Sequence, residues 1–322
     1  MKNKSAEILL SLNGSNVLKA IAILAVFVIH ILSSIRISPF VIGSTFQLIA
    51  VTLDQLSRIS VPLFVALSGY GLHWKYSKKI SIGSFYFKRA SKVLPLYFFW
   101  STLFALLFYL VPAWGPATQQ PGFVWQLFLG RADYHLYFVP MIFQIYIIFP
   151  LLLVFFKKWP LQTLLSAIAA QLIWWWFFSY QDNTITTWKY FAGDGEQYIW
   201  MTNWIAYFVL GMYLPKIWFW INKNKLRYIS IFGVWIASAF YTILSAVKSI
   251  QAGVDPLLAL KFTRYPMFIY SFFAIIFLSF IVAKFHHSKK SNSLLIYLGK
   301  NSYPIYLGHT FLLRIVVFFF FP

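Results

Sequence analysis

The chain has 322 residues, 60% hydrophobic and 22% aromatic with only 11% charged, a balance that excludes a soluble globular domain of this size and leaves a polytopic membrane protein. The formal net charge is +20, yet Lys and Arg fall in short clusters between apolar spans, where they set orientation by the positive-inside rule; the basic excess is a topology signal and implies no nucleic-acid partner. The absence of cysteine excludes disulfides, thiolate catalysis and cysteine metal sites.

A short amino-terminal stretch with Lys2 and Lys4 leads into the first predicted span, Asn16 to Arg36. Its apolar run from Val17 is longer than a signal h-region and no small-residue cleavage site follows closely, so it is read as a retained helix. It carries two ionisable groups, Lys19 and His30. At about 100° per residue they return to nearly the same helix face, with His30 about 16 Å deeper. An ionisable side chain at membrane depth faces a protein interior or a wet cavity and marks a candidate functional site; the plain alternative for His30 is a neutral imidazole bonded to a neighbouring helix.

After a link through Pro39 and Gly43, a second span runs from about Phe46 to Trp74. Asp54 and Arg58 stand at i, i+4, a spacing that pairs carboxylate and guanidinium on one face. Pro62 and Ser68-Gly69-Tyr70-Gly71 are expected to loosen this helix further. Lys75, Lys78, Lys79, Lys88, Arg89 and Lys92 then form the densest basic cluster, which places this loop in the cytoplasm and runs the first span from inside to outside. The third span covers about Phe85 to Val111. Lys88 and Lys92 lie one turn apart near its amino end, where the helix field adds to theirs, so the group suits an anion: a cytosolic phosphate or, equally on charge alone, the headgroups of membrane lipid.

Pro112 to Tyr134 reads as an outer loop holding a short apolar piece, Phe123 to Leu129, too short to span. The fourth span, His135 to Phe156, ends at Lys157-Lys158, and the fifth, Leu161 to Tyr180, leads to an outer loop with Asp182, Asp194 and Glu196. Further spans at about Tyr198 to Trp220, Tyr228 to Val247, Tyr265 to Phe285 and Ser302 to Phe321 alternate with Lys223, Lys225 and Arg227, then Lys284, Lys289, Lys290 and Lys300, on the inner side. The expected fold is an all-α transmembrane helix bundle of about nine to ten spans, amino end inside and carboxyl end outside, in a single domain over residues 1–322.

His135, near the outer surface, reads first as structural, whereas His309, about a third of the way along the last span, is deeper. Neither these nor His30 has an acid or histidine at i, i+3 or i, i+4 within its span, so no metal is expected. His286 and His287 read as surface residues of a basic inner loop. Trp174-Trp175-Trp176, Trp188, Trp200 and Trp204 near span ends form an aromatic belt, with sugar stacking as a second use.

Five stretches, taken together in order and spacing, resemble the acyltransferase-3 family of integral membrane acyltransferases. They are Lys19 to His30, which is similar to a basic residue, ten positions, then histidine; Arg58-Ile59-Ser60-Val61-Pro62-Leu63-Phe64 through Ser68-Gly69-Tyr70; Lys88-Arg89-Ala90-Ser91-Lys92 through Pro95-Leu96-Tyr97; His135-Leu136-Tyr137-Phe138-Val139 with Tyr146 and Pro150; and Leu298-Gly299-Lys300 through Tyr306-Leu307-Gly308-His309. Lysine stands at 19, 88 and 92 where the family usually has arginine, keeping the charge without the bidentate fork, and Tyr137 replaces tryptophan.

The resemblance implies transfer of an acyl group, usually acetyl, from cytosolic acyl-CoA to a hydroxyl of a cell-surface or exported carbohydrate, in a cell membrane of bacterial type. Acetyl-CoA would be the donor cosubstrate. His30 would act on the proton of the acceptor or carry the acyl group, with Arg58 or Lys19 at the oxyanion and Asp54 fixing Arg58. Lys19, Lys88, Arg89 and Lys92 are the candidates for the CoA phosphates, and Ser68, Tyr70, His135, Tyr303 and His309 are substrate-side or secondary candidates. The rival reading is a transporter or flippase for a glycan or lipid-linked precursor, since buried charges and broken helices also serve transport; the hydropathy shows no inverted repeat to support it.

Overall fold

The structure, a computed structural model, describes residues 10–34, 44–114, 122–177, 196–285 and 293–320. Lys2, Lys4, Arg36, Pro39, Gly43, Asp182, Trp188, Asp194, His286, His287, Lys289 and Lys290, all used above, lie outside these residues. Every regular element within them is helical: α1 (Leu12–Ser34), α2 (Thr45–Ser57), α3 (Ser60–Tyr76), α4 (Ile82–Leu110), α5 (Phe123–Leu129), α6 (Phe138–Lys158), α7 (Pro160–Trp175), α8 (Ile205–Ile221), α9 (Lys225–Gln251), α10 (Pro256–Ala259), α11 (Tyr265–Phe285), α12 (Ser293–Lys300) and α13 (Ser302–Phe320), with short 3-10 turns between some of them. The protein is thus an all-α membrane helix bundle. Each predicted span contains a helix, and six segments among the described residues are long and apolar enough to cross a membrane: Leu12–Ser33, Thr45–Tyr76, Ile82–Leu110, Phe138–Lys158, Lys225–Gln251 and Tyr265–Lys284.

The structure corrects three local expectations. The second span breaks at Arg58 and Ile59, a turn between α2 and α3, and not at Pro62 or Gly69. Pro62 falls in the first turn of α3, where its missing N–H has no intrahelical partner to lose, and Ser68 to Gly71 is uninterrupted helix. Gly69 instead permits close approach: a Cβ there would fall on the carbonyl of Phe208, and one at Gly211 on the carbonyl of Ala66, so α3 and α8 touch backbone to backbone through two reciprocal glycines. Second, His135 does not open α6 but sits in the turn before it, because Gly130 closes α5 in the left-handed region (φ 65°) and the chain folds back until Phe138. Third, Tyr198 to Trp204 forms two 3-10 turns, Glu196–Ile199 and Met201–Asn203, and α8 begins only at Ile205.

The chain divides into two compact units, described here separately, with the divides inside α3 after Leu72, inside α8 before Tyr207 and inside α13 after Tyr303. In the first unit, residues 1–72 and 207–303, α1 packs chiefly on α12 and also on α2 and α11, while α9 packs on α11, α2 and α10. A Cβ at Gly299 of α12 would fall on the carbonyl of Asn16, which makes the α1–α12 contact another backbone approach. Ala50 and Val51 of α2, Ala246 and Ile250 of α9, and Ala259 and Leu260 bury a shared core that Leu32 of α1 joins. Ser44 and Asn224 cap α2 and α9 by accepting the N–H of Gln47 and Leu226 at 3.2 and 2.8 Å.

In the second unit, residues 73–206 and 304–322, α6 packs on α4 and α7 and receives both 3-10 turns. Gln144 of α6 fixes those turns, donating to the Ile199 carbonyl at 2.8 Å and accepting from Met201 N–H at 3.2 Å. Gln171 of α7 accepts from Ala206 N–H at 3.0 Å. Gly308 of α13 lies against the Trp100 ring of α4, leaving no room for a Cβ.

Candidate active site

Asp54 and Arg58 meet at the break between α2 and α3. Arg58 donates Nε–H to Asp54 Oδ2 at 2.7 Å and Nη2–H to Oδ1 at 3.0 Å, a two-bond fork whose carboxylate side chain is only 3% exposed. Gln55 donates to the same Oδ2 at 2.9 Å and to the Leu260 carbonyl at 3.3 Å, and Phe262 lies under the Arg58 guanidinium at 4.8 Å. A second buried cation, Arg264, donates to Gln55 Oε1 at 3.2 Å, to the Ala259 carbonyl and to Ser245 Oγ. Tyr270 of α11 donates to the Leu56 carbonyl at 2.8 Å, satisfying an acceptor that the end of α2 leaves open. The unit therefore holds one guanidinium, Arg58, forked onto the Asp54 carboxylate and a second, Arg264, linked to that carboxylate through Gln55, positive groups of the kind that suit developing negative charge.

His30 and Lys19 both lie on α1 in this unit, each partly buried, flanking the face that buries Ala20, Ala22, Ile23 and Val26. His30 stands about 27 Å along the axis from Leu12, close to the end of the helix. Ser68 is partly buried on α3. Tyr70 is buried, and its hydroxyl accepts from Leu10 N–H at 2.9 Å and donates to the Leu10 carbonyl at 3.3 Å, tying α3 to the chain just before α1. Tyr303, partly buried in the first turn of α13, is the last residue of this unit.

The second unit brings His135 and His309 together, their ring centroids 4.9 Å apart. Between the turn before α6 and helix α13 runs a buried polar network. Arg314 donates to Asp133 Oδ2 and Oδ1 at 2.6 and 2.8 Å, Thr310 donates to Oδ2 at 2.8 Å, and His135 Nδ1 lies 3.3 Å from Oδ2. Burial alone would push the Asp133 carboxyl up, but the bonds from Arg314 and His135 outweigh it and hold the group below the usual carboxylate range. The Leu307 carbonyl, 3.2 Å from His135 Nε2, only accepts, so that nitrogen carries a hydrogen; Tyr306 returns a bond from its hydroxyl to the His135 carbonyl. His309 Nδ1 donates to the Tyr306 carbonyl at 2.6 Å, which puts the lone pair of the neutral ring on Nε2.

Lys88, Arg89 and Lys92 lie in the first turns of α4, also in the second unit. Lys88 and Lys92 are exposed, while Arg89 is partly buried with its guanidinium 5.9 Å from the Phe85 ring and 6.0 Å from that of Tyr146. Among the described residues no group of three His, Asp or Glu side chains could hold a metal.

Sequence reasoning passed over Asp133, Arg264, Thr310 and Arg314. Two signals were available: arginines 264 and 314 border or enter apolar spans, and the whole chain has only seven Asp and Glu to answer them.

Comparison with curated proteins and with solved structures gives no match. The model of the acyltransferase-3 family, described as an acyltransferase domain, matches residues 12–322, essentially the whole chain, which decides for an enzyme over the transporter reading. With its apolar spans, its helical architecture and this match over nearly its full length, the chain belongs to the acyltransferase-3 family and is a multi-pass membrane acyltransferase.

Proposed function

We propose that the protein moves an acetyl group from cytosolic acetyl-CoA to a hydroxyl of a carbohydrate at or beyond the cell membrane. The observation that supports this most directly is the guanidinium fork of Arg58, locked by Asp54 on α2, in the same unit as His30 on the neighbouring helix α1. A fixed cation and a proton-accepting ring in one compact unit supply what acyl transfer needs: one stabilises the oxyanion and the other handles the hydroxyl proton. In the direct route His30 takes the proton of the acceptor hydroxyl as its oxygen bonds the thioester carbonyl carbon; the carbon–sulfur bond then breaks and His30 passes that proton to the departing CoA thiolate. In the two-step route the His30 ring nitrogen displaces CoA as its thiolate, the acceptor hydroxyl then displaces the ring, and the proton the hydroxyl gives up balances the thiolate. Both leave one acetyl ester and one free thiol. Lys88, Arg89 and Lys92 supply the positive charge for the CoA phosphates, and Lys19 sits on the His30 face of α1.

The test is acetyl transfer from labelled acetyl-CoA by purified protein in lipid nanodiscs to the surface glycans of the source cells. His30→Ala is expected to lower the rate by about a hundredfold or more, the usual worth of a general base, with the helix content unchanged. Near-normal turnover removes His30 from the chemistry, and no acetyl-CoA-dependent labelling by the wild type removes the reading.

A further inference from the structure

At the lysine-rich end of the second unit, two side chains from different helices flank one buried ring. Tyr76 closes α3, and Arg89 stands about two turns into α4. The Phe85 ring between them is fully buried; Tyr76 meets it edge-on at 5.3 Å between centroids, and the Arg89 guanidinium lies 5.9 Å from it. Phe149 and Tyr146 complete the aromatic wall, at 5.4 and 6.4 Å from Phe85.

Both polar groups are buried here without an answer. Tyr76 is 8% exposed, and among the described residues its hydroxyl has no hydrogen-bond partner and the buried Arg89 Nε has none. A buried donor left unmet is costly, more so when it is charged, so each one asks for an explanation, a bound ion or ligand among them. Here two occur in one aromatic shell, and one is a cation. Lys75, with its Nζ 5.5 Å from the Tyr76 ring, and the exposed Lys88 and Lys92 add positive charge around it. An O–H and an N–H donor set against one buried ring, inside a cationic rim, call for an anion with several acceptor oxygens.

We propose that Tyr76 and Arg89 form the floor of a phosphoryl-binding site, in which the Tyr76 O–H and the Arg89 Nε–H donate to oxygens of one phosphoryl group while Lys88 and Lys92 meet its remaining charge. The inference rests on the acyl-CoA reading only for the source of that group: CoA supplies it in the proposed reaction, and an anionic lipid headgroup carries the same chemistry. Tyr76 lies outside every stretch that carried the family likeness, and its part follows from the unanswered hydroxyl.

The experiment compares wild type, Tyr76→Phe and Arg89→Gln in phosphatidylcholine nanodiscs, measuring CoA binding by calorimetry and ligand-free thermal unfolding. Tyr76→Phe is expected to weaken CoA binding about tenfold or more, and Arg89→Gln at least as much, the loss for a bond to a charged group. Phenylalanine keeps the ring contacts and removes an unmet hydroxyl, so the ligand-free melting temperature should stay level or rise; a fall would show that the hydroxyl has an internal partner and overturn the proposal. Wild-type CoA affinity in Tyr76→Phe also overturns it, and leaves the acyl-CoA reading standing. If wild type ignores CoA but is stabilised by phosphatidylglycerol, and Tyr76→Phe is not, the phosphoryl site holds with a lipid as its source and the acyl-CoA reading falls. Indifference of the wild type to both overturns site and reading together.

Discussion

Arg314 grips Asp133 with two parallel hydrogen bonds, 2.6 and 2.8 Å long, and so joins α13 to the turn ahead of α6. The carboxylate is buried, so losing the fork leaves a charge with no counter-charge of equal fit. Arg314→Ala is expected to lower stability by about 3–5 kcal/mol. Arg314→Lys should lose less, since it keeps the charge but not the fork. Unfolding in detergent, followed by circular dichroism, measures both; equal stability of Arg314→Ala and wild type would show the pair to be idle.

The same pair sets an acid limb. Asp133 is held below the ordinary carboxylate range in the folded protein, so its stabilisation is fully present above the unfolded value of about 3.9 and is lost as pH falls through the lower folded value. Between about pH 5 and 8 this group should leave the melting temperature flat, with its loss confined to stronger acid. In Asp133→Asn the drop below about pH 4 should be shallower, on a lower plateau. A melting temperature that falls with Asp133 between pH 7 and 5 would contradict this.

At the α2–α3 break the fork between Asp54 and Arg58 makes the pair worth more than its parts. Arg58→Ala and Asp54→Ala each strand a charge, and each is expected to cost about 3 kcal/mol, whereas the double substitution should cost clearly less than their sum. A double-mutant cycle on unfolding reads the coupling, and strict additivity would mean the fork contributes nothing. Acetyl transfer should fall in all three variants, because each loses the held guanidinium.

The glycines of α3 and α8 differ in what surrounds them. Gly69→Ala and Gly211→Ala put a methyl on a facing carbonyl, so each should cost about 1–3 kcal/mol as the helices are forced apart. Gly71 has nothing within 4 Å of such a methyl, so Gly71→Ala should be neutral or gain up to about 1 kcal/mol of helix propensity. Melting temperatures of the three variants decide, and a Gly71→Ala loss as large as that of Gly69→Ala would refute the close-approach account.

What the sequence reveals follows how far apart the interacting residues are. Long apolar runs identify the helices, and the four-residue step from Asp54 to Arg58 identifies their fork, because both are local. The ties that complete each polar cluster are not local: Arg264 reaches Gln55 across 209 positions and Arg314 reaches Asp133 across 181, and periodicity carries no trace of either. Gly69 misleads for a related reason, since a glycine that admits a neighbouring backbone reads in one dimension like one that loosens a helix. His135 looked like a helix opener because the apolar run starts beside it, whereas Gly130 and its left-handed turn decide where α6 begins.

The clasp between α13 and the turn before α6 also orders the birth of the protein. As the ribosome feeds the chain into the membrane, Asp133 and His135 are made well before Thr310 and Arg314. Until α13 is threaded in, the carboxylate lacks its guanidinium, so the second unit matures only after that helix has been made.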